Sequence, residues 1–158
     1  MKALVVYDSM FGNTEQVAQA MAAVLAEQMD ATARRVSDVQ PAELTGLDLL
    51  IVGSPTQAFQ PLPTTKKLLD GLPAHSLHGV KVAAFDTRID VADVGNRFLT
   101  FMVSLFGYAA KPIAKRLQKK GGELVAPPEG FIVNGKEGPL KDGERERAAA
   151  WAKAVGTI

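Results

Sequence analysis

An apolar strand that runs directly into an amphipathic helix is the feature that most constrains the fold. Residues 3–7 form a continuous apolar run, which is typical of a strand buried on both faces. From Asn13 to about Met29, apolar residues recur at helical spacing, which predicts a helix over that range. The short loop between them leaves the first backbone N–H groups of the helix without intrahelical partners.

This loop, Ser9 to Thr14, has the composition of a phosphate-binding cradle. Its hydroxyl and amide side chains can join the free N–H groups of the helix in binding an anion. It is not a P-loop, because Asn13 stands where that motif needs lysine. It is not the dinucleotide fingerprint either, because Gly12 is its only glycine. An ordinary helix cap with a glycine turn remains the alternative interpretation.

The composition excludes several classes of function. The chain has 158 residues, which suits a single domain over 1–158, and its 18 basic and 17 acidic residues argue against nucleic-acid or membrane partners. It has no cysteine, and its two histidines lack ligand spacing, so we expect no metal site. The apolar run at the N-terminus ends at Asp8 and is too short for a signal or a membrane span. We therefore expect a cytoplasmic protein.

Strands and helices alternate along the chain. Further buried strands are predicted at residues 47–53 and 80–86, a polar edge strand at 31–36, and a fifth strand from Glu123 that prolines interrupt. Helices are predicted at about 64–72, 109–120 and 141–155. This alternation predicts an α/β fold, a doubly wound five-stranded parallel sheet of order 2-1-3-4-5 with helices on both faces.

In that order, ligands bind outside the carboxyl ends of the first and third strands. These ends are Tyr7 and Gly53, so the loop Ser9–Thr14 and a second loop, Ser54–Phe59, should meet in one crevice. Within this frame, Ser9, Gly12 and Thr14 match the phosphate loop of flavodoxins, Thr/Ser-x-Thr-Gly-x-Thr, although Phe11 replaces the middle hydroxyl residue. The second loop, beginning Gly-Ser-Pro-Thr, resembles that of short flavodoxins and flavodoxin-like quinone reductases. The chain thus resembles the flavodoxin family over nearly its whole length.

The resemblance implies that FMN is the cofactor and is bound without a covalent bond. It assigns the phosphate to Ser9, Met10, Phe11, Gly12, Asn13 and Thr14. It assigns one side of the flavin ring to Ser54, Pro55, Thr56, Gln57, Ala58 and Phe59, with Phe59 stacking on the ring, and the other side to Asp86, Thr87 and Arg88. Arg88 lies either near the pyrimidine edge of the ring or on the solvated surface. No catalytic acid–base pair and no metal are implied.

The function that this resemblance implies is electron transfer between a reductase and an acceptor protein, by a monomer or weak homodimer. One alternative is an NAD(P)H-dependent quinone or FMN reductase, and another is a degenerate flavodoxin fold that binds no flavin and serves as a binding module. The apolar segment Phe98–Phe106 is either part of the core, or a lid over the flavin or a dimer surface.

Overall fold

The fold was analysed in a computed structural model that describes residues 1–90 and 95–158, without the side chains of Leu105 and Phe106. Its strands are β1 (Lys2–Tyr7), β2 (Asp30–Arg35), β3 (Leu49–Pro55), β4 (Lys81–Ile89), β5 (Glu123–Leu124) and β6 (Glu129–Val133). Its helices are α1 (Asn13–Leu25), α2 (Pro63–Asp70), α3 (Arg97–Phe106), α4 (Ala110–Lys119) and α5 (Glu144–Gly156).

The strands form one parallel sheet of order β2-β1-β3-β4-β5, which confirms the predicted order. Its fifth position is shared by two short segments, since β5 pairs with the start of β4 and β6 pairs with its end. Between these segments stand Pro127 and Pro128, which lack the N–H groups that a continuous strand would donate.

Two hydrophobic cores lie on opposite faces of the sheet, which confirms helices on both sides. On one face α1 and α5 bury side chains that include Met21, Phe131 and Ala152. On the other, α2 and α4 bury side chains that include Leu69 and Leu117. Each large apolar side chain so buried contributes roughly 1.5–3 kcal/mol.

Two helix boundaries differ from the prediction by three residues or more, namely the end of α1 and the beginning of α5. Helix α1 ends at Leu25, short of Met29, because Glu27 and Gln28 donate to carbonyls three residues back and tighten the chain into a turn. Helix α5 begins at Glu144 and not at residue 141, because Gly143 takes a left-handed conformation at its N-cap.

The carboxyl ends of β1 and β3 lie side by side, as predicted. Tyr7 is in register with Gly53, and the Asp8 N–H donates to the Gly53 carbonyl at 3.2 Å. A β-carbon on Gly53 would lie 2.0 Å from Phe85 Cζ, so the ring of Phe85 occupies the place of a side chain there. The first and second loops therefore leave the sheet at the same point of its edge.

Candidate functional site

The first loop leaves the beginning of α1 open to a ligand. Gly12, with φ of 89°, is the N-cap residue, and among the described residues no side chain caps the helix. The Gly12 N–H donates to Ser9 Oγ at 3.0 Å, so the Ser9 hydroxyl proton remains available to an acceptor. The N–H groups at the start of α1 are thus available for an anion. The alternative interpretation of the loop as an ordinary helix cap requires a side-chain capping hydrogen bond, and α1 has none among the described residues.

Thr87, near the end of β4, joins the first and second loops. Its hydroxyl lies 2.8 Å from the hydroxyl of Thr14, and both residues are buried. Its carbonyl accepts the N–H of Thr56 at 3.0 Å. These two bonds fix the first and second loops against β4.

The first two residues of the predicted second loop, Ser54 and Pro55, belong to β3, and the loop ends in a tight two-residue turn. Gln57 and Gln60 exchange two backbone hydrogen bonds of 2.9 Å, and the residues between them, Ala58 and Phe59, have φ of 48° and 67°. Positive φ at both central positions is the geometry of a type I′ turn, which normally takes Asn-Gly. Non-glycine residues in this region cost roughly 1–3 kcal/mol each, so the turn stores strain.

The Ser54 hydroxyl shapes this loop from inside. It accepts the Leu62 N–H and donates to the Pro55 carbonyl, both at 2.9 Å, and the residue is fully buried. Ser54 therefore supports the loop and does not face the cleft.

At the end of β4, a buried ion pair forms a wall of the site. Arg88 Nε and Nη2 donate to the two carboxylate oxygens of Asp86 at 2.6 and 2.7 Å, and the Ala110 N–H donates to Asp86 Oδ2 at 2.8 Å. Burial raises the pKa of the Asp86 carboxyl, while Arg88 and the Ala110 N–H oppose that rise. Asp86 is thus a support for Arg88, behind the surface of the cleft.

The guanidinium of Arg88 is held on two further sides. Its Cζ lies 3.7 Å from the centroid of the Tyr108 ring. A β-carbon on Gly130 would lie 2.1 Å from Arg88 Cζ, so the absence of a side chain at Gly130 makes room for it. With 21% of its side chain exposed, Arg88 is mostly buried and lines the cleft.

Most of the predicted site residues meet in one open cleft. Counting the space that is open to solvent, it has a volume of about 610 Å³. The predicted residues that line it are Ser9, Met10, Phe11, Asn13, Thr14, Pro55, Thr56, Gln57, Thr87 and Arg88. Ala58 and Phe59 line an adjoining apolar pocket, whereas Gly12, Ser54 and Asp86 line neither and shape the walls.

Sequence reasoning missed several lining residues. Ile89, Val133 and Lys136 line the cleft, and Leu99, Val103 and Tyr108 line the adjoining pocket. The signal for Val133 and Lys136 was present, because a Gly/Pro-rich turn follows the fifth strand and must leave the sheet at the same edge.

Helix α3 lies beside this pocket, and the outer side of the helix is not part of the hydrophobic core. Phe98 and Phe101 are 69% and 58% exposed, so the core interpretation is wrong for them. Leu99 and Val103 line the pocket, as a lid would. Val94, whose spacing places it on the same apolar helical face, lies outside the described residues, and so do the side chains of Leu105 and Phe106.

The donor set fits a phosphate joined to a flat aromatic group. Uncapped amides and hydroxyls stand at one end of the cleft, and apolar side chains stand at the other. In the described ranges 1–90 and 95–158, no group of three or more potential ligands could hold a metal ion. No helix within those ranges is long and apolar enough to cross a membrane.

Comparison with known proteins agrees with this geometry. The sequence model of the flavodoxin family matches residues 5–151. The chain belongs to the flavodoxin family. A flavodoxin of Maridesulfovibrio salexigens is 26% identical over 159 residues, covering 98% of this chain and 96% of that protein.

Two solved flavodoxins share its fold. One from the domain Archaea has a TM-score of 0.78 at 23% identity, and Flavodoxin 1 of Bacillus cereus has 0.75 at 19%. Each comparison covers 99% of this chain and 97% of the other. Flavodoxins bind FMN and transfer electrons to redox partner proteins, so the family, the cofactor and the electron-transfer function predicted from the sequence are confirmed.

Proposed function

We propose that this flavodoxin acts in the cytoplasm as a single-domain monomer or weak homodimer, carrying electrons between a reductase and an acceptor protein. FMN is held in the cleft, with its phosphate on the first loop and its ring between the second loop and the end of β4. The observation that carries the assignment of this site is the uncapped beginning of α1, which opens into a cleft whose far end is apolar.

The residues of the cleft divide the binding between them. The amides at the start of α1, with the hydroxyls of Ser9 and Thr14, donate to the phosphate, and each hydrogen bond to a charged group contributes roughly 1.5–3 kcal/mol. Phe59 and the apolar wall of the adjoining pocket cover the ring and exclude water from it. FMN supplies the redox chemistry, and the protein positions it and sets its electrostatic surroundings.

Arg88 contributes orientation more than charge. Because Asp86 neutralises it, the pair adds little net field at the ring. Its Nη1 donates to no acceptor among the described residues, and Arg88 lines both the cleft and the adjoining pocket. We assign to Nη1 a hydrogen bond to the polar edge of the flavin.

The surroundings of the cleft suit a protein partner. Of the seven large hydrophobic side chains that are exposed in the described part of the chain, two are the terminal residues Met1 and Ile158. The other five stand around the cleft, on the first loop, at the end of β4 and on helix α3: Met10, Phe11, Ile89, Phe98 and Phe101. An apolar surface of this kind marks an interaction site, so a redox partner would approach where electrons leave the ring.

A reductase is the second candidate, and the adjoining pocket favours it. This pocket is apolar and open beside Phe59 and Tyr108, where a flat acceptor such as a quinone would fit. The reductase would oxidise NAD(P)H on its own, whereas an electron carrier needs a separate reductase.

Two measurements test these proposals. The visible absorption spectrum of the purified protein, followed by titration of the apoprotein with FMN, tests the cofactor site. A colourless protein that ignores FMN would overturn both redox functions and leave the binding-module alternative. If the protein alone oxidises NAD(P)H steadily in the presence of a quinone, the reductase function is supported and the electron-carrier function is overturned.

A further inference from the structure

The loop after β6 is fixed against the end of the cleft where α1 begins, which we assign to the FMN phosphate and call the phosphate end. The Asn134 N–H donates to the Pro139 carbonyl at 2.8 Å, and the Gly138 N–H donates to the Gly135 carbonyl at 3.1 Å, which closes the loop on itself. Asn13 Nδ2 donates to the Glu137 carbonyl at 3.1 Å, which joins this loop to the first residue of α1.

The contact between this loop and α1 leaves no space for a side chain. A β-carbon on Gly138 would lie 2.6 Å from Asn13 Oδ1, so the backbone of the loop rests directly on the Asn13 side chain. Lys136, two residues earlier, lines the cleft together with Ser9, Asn13 and Thr14. The contacts of Glu137 and Gly138 with Asn13 place this part of the loop beside the beginning of α1.

In the described part of the chain, Arg88 and Lys136 are the basic residues that line the cleft, and Arg35 contacts the first loop. Arg88 and Arg35 are already paired with acidic residues. Arg88 is bound to Asp86. Arg35 contacts Asp8 at 3.2 Å and Glu15 at 3.8 Å, and donates to the Ser9 carbonyl from outside the loop. Lys136 has no acidic partner within residues 1–90 and 95–158, and its side chain is exposed at the mouth of the cleft.

We propose that Lys136 supplies the positive charge that the first loop lacks, by pairing with the FMN phosphate from the opposite wall of the cleft. This inference rests on the proposed site for FMN. The first loop offers only neutral donors, and a phosphate monoester carries nearly two negative charges at neutral pH. An ammonium group at the cleft mouth offsets that charge and selects FMN over riboflavin, which has the same ring and no phosphate.

The test compares FMN and riboflavin binding to apoprotein, for wild type and Lys136→Gln, by quenching of flavin fluorescence. We expect Lys136→Gln to weaken FMN binding about tenfold at low salt and to leave riboflavin binding unchanged. Added salt should weaken FMN binding to the wild type more steeply than to the variant. Lys136→Arg should keep most of the wild-type affinity for FMN.

Lys153→Gln is the matched control, because Lys153 is exposed in the last turn of α5, far from the cleft. It should bind both ligands as the wild type does. If Lys136→Gln binds FMN with the affinity and salt dependence of the wild type, the role of Lys136 is overturned and the proposed function is not. The same holds if the variant loses affinity for FMN and riboflavin equally. Failure of the wild type itself to bind FMN would overturn the proposed function as well, so the two failures are distinguishable.

Discussion

The first and second loops leave neighbouring strands, yet their backbones are built in different ways. In the first loop the left-handed conformation falls on Gly12, where it carries no steric cost. In the second it falls on Ala58 and Phe59, where it does. The phosphate end is therefore free of backbone strain at this position, unlike the opposite end, which we assign to the flavin ring and call the ring end. The ring end holds strain in its turn and depends on the packing around it.

The largest effect should come from the ion pair behind the ring end. Asp86→Ala leaves Arg88 and the Ala110 N–H without their acceptor, so we expect a loss of about 3–5 kcal/mol in the free energy of unfolding. Urea denaturation of the apoprotein measures it. Asp70→Ala is the control, because Asp70 pairs with Arg116 on the surface. This substitution should lower the free energy of unfolding by at most ~1 kcal/mol. Equal losses in the two variants would show that the wall of the ring end does not depend on the buried pair.

The next prediction concerns Gly12, whose left-handed backbone begins α1. Gly12→Ala should lower the free energy of unfolding by about 1–2 kcal/mol and should also weaken FMN binding. Gly46→Ala is matched to it, since Gly46 also has positive φ and open space around its α-carbon. Thermal unfolding should show equal costs in the two variants, with FMN affinity reduced only in Gly12→Ala. Unchanged FMN affinity in both variants would contradict the assignment of the phosphate to the first loop.

Removing one hydroxyl from the phosphate end has a smaller effect. Thr14→Val removes a donor and its hydrogen bond to Thr87, and we expect FMN binding to weaken about tenfold with the fold intact. Titration of the apoprotein measures the affinity, and circular dichroism checks the fold. Thr32→Val, on exposed strand β2, is the control and should bind FMN normally. If both variants bind equally well, the Thr14 hydroxyl is structural only.

The smallest expected effect tests the backbone strain in the turn of the second loop, and here the substitution should stabilise the protein. Ala58→Gly should raise the free energy of unfolding by about 0.5–1 kcal/mol, because glycine adopts positive φ without steric cost. Ala23→Gly, at an exposed position inside α1, should instead lower it by about 1 kcal/mol. An Ala58→Gly variant no more stable than the wild type would contradict a strained second loop.

The parts of the fold that the sequence predicted are those whose signals are contiguous. Each central strand is one apolar run, so the strand order follows from short stretches of sequence. The first loop, most of whose residues line the cleft, is likewise one short stretch. The type I′ turn was missed because Ala58-Phe59 lacks the residues that favour it.

That the turn after the last strand lies at this edge of the sheet was predictable, but the contact between Asn13 and Glu137, 124 positions apart, that fixes the loop of Lys136 against α1 was not. The setting of Arg88 likewise depends on Gly130 and Tyr108, which are distant from it in sequence. Contacts of this kind carry no local pattern from which they could be predicted.

The division of the last strand position into β5 and β6 has a consequence for self-association. At that border of the sheet, a two-residue strand is followed by Pro127 and Pro128, which cannot donate to an incoming strand. The opposite border is β2, whose Arg34 and Arg35 are held in ion pairs with Glu43 and Asp8. Neither border favours extension of the sheet by a strand from another molecule. Fibre-like stacking is thereby disfavoured, even for a chain that keeps a broad apolar surface exposed around its cleft.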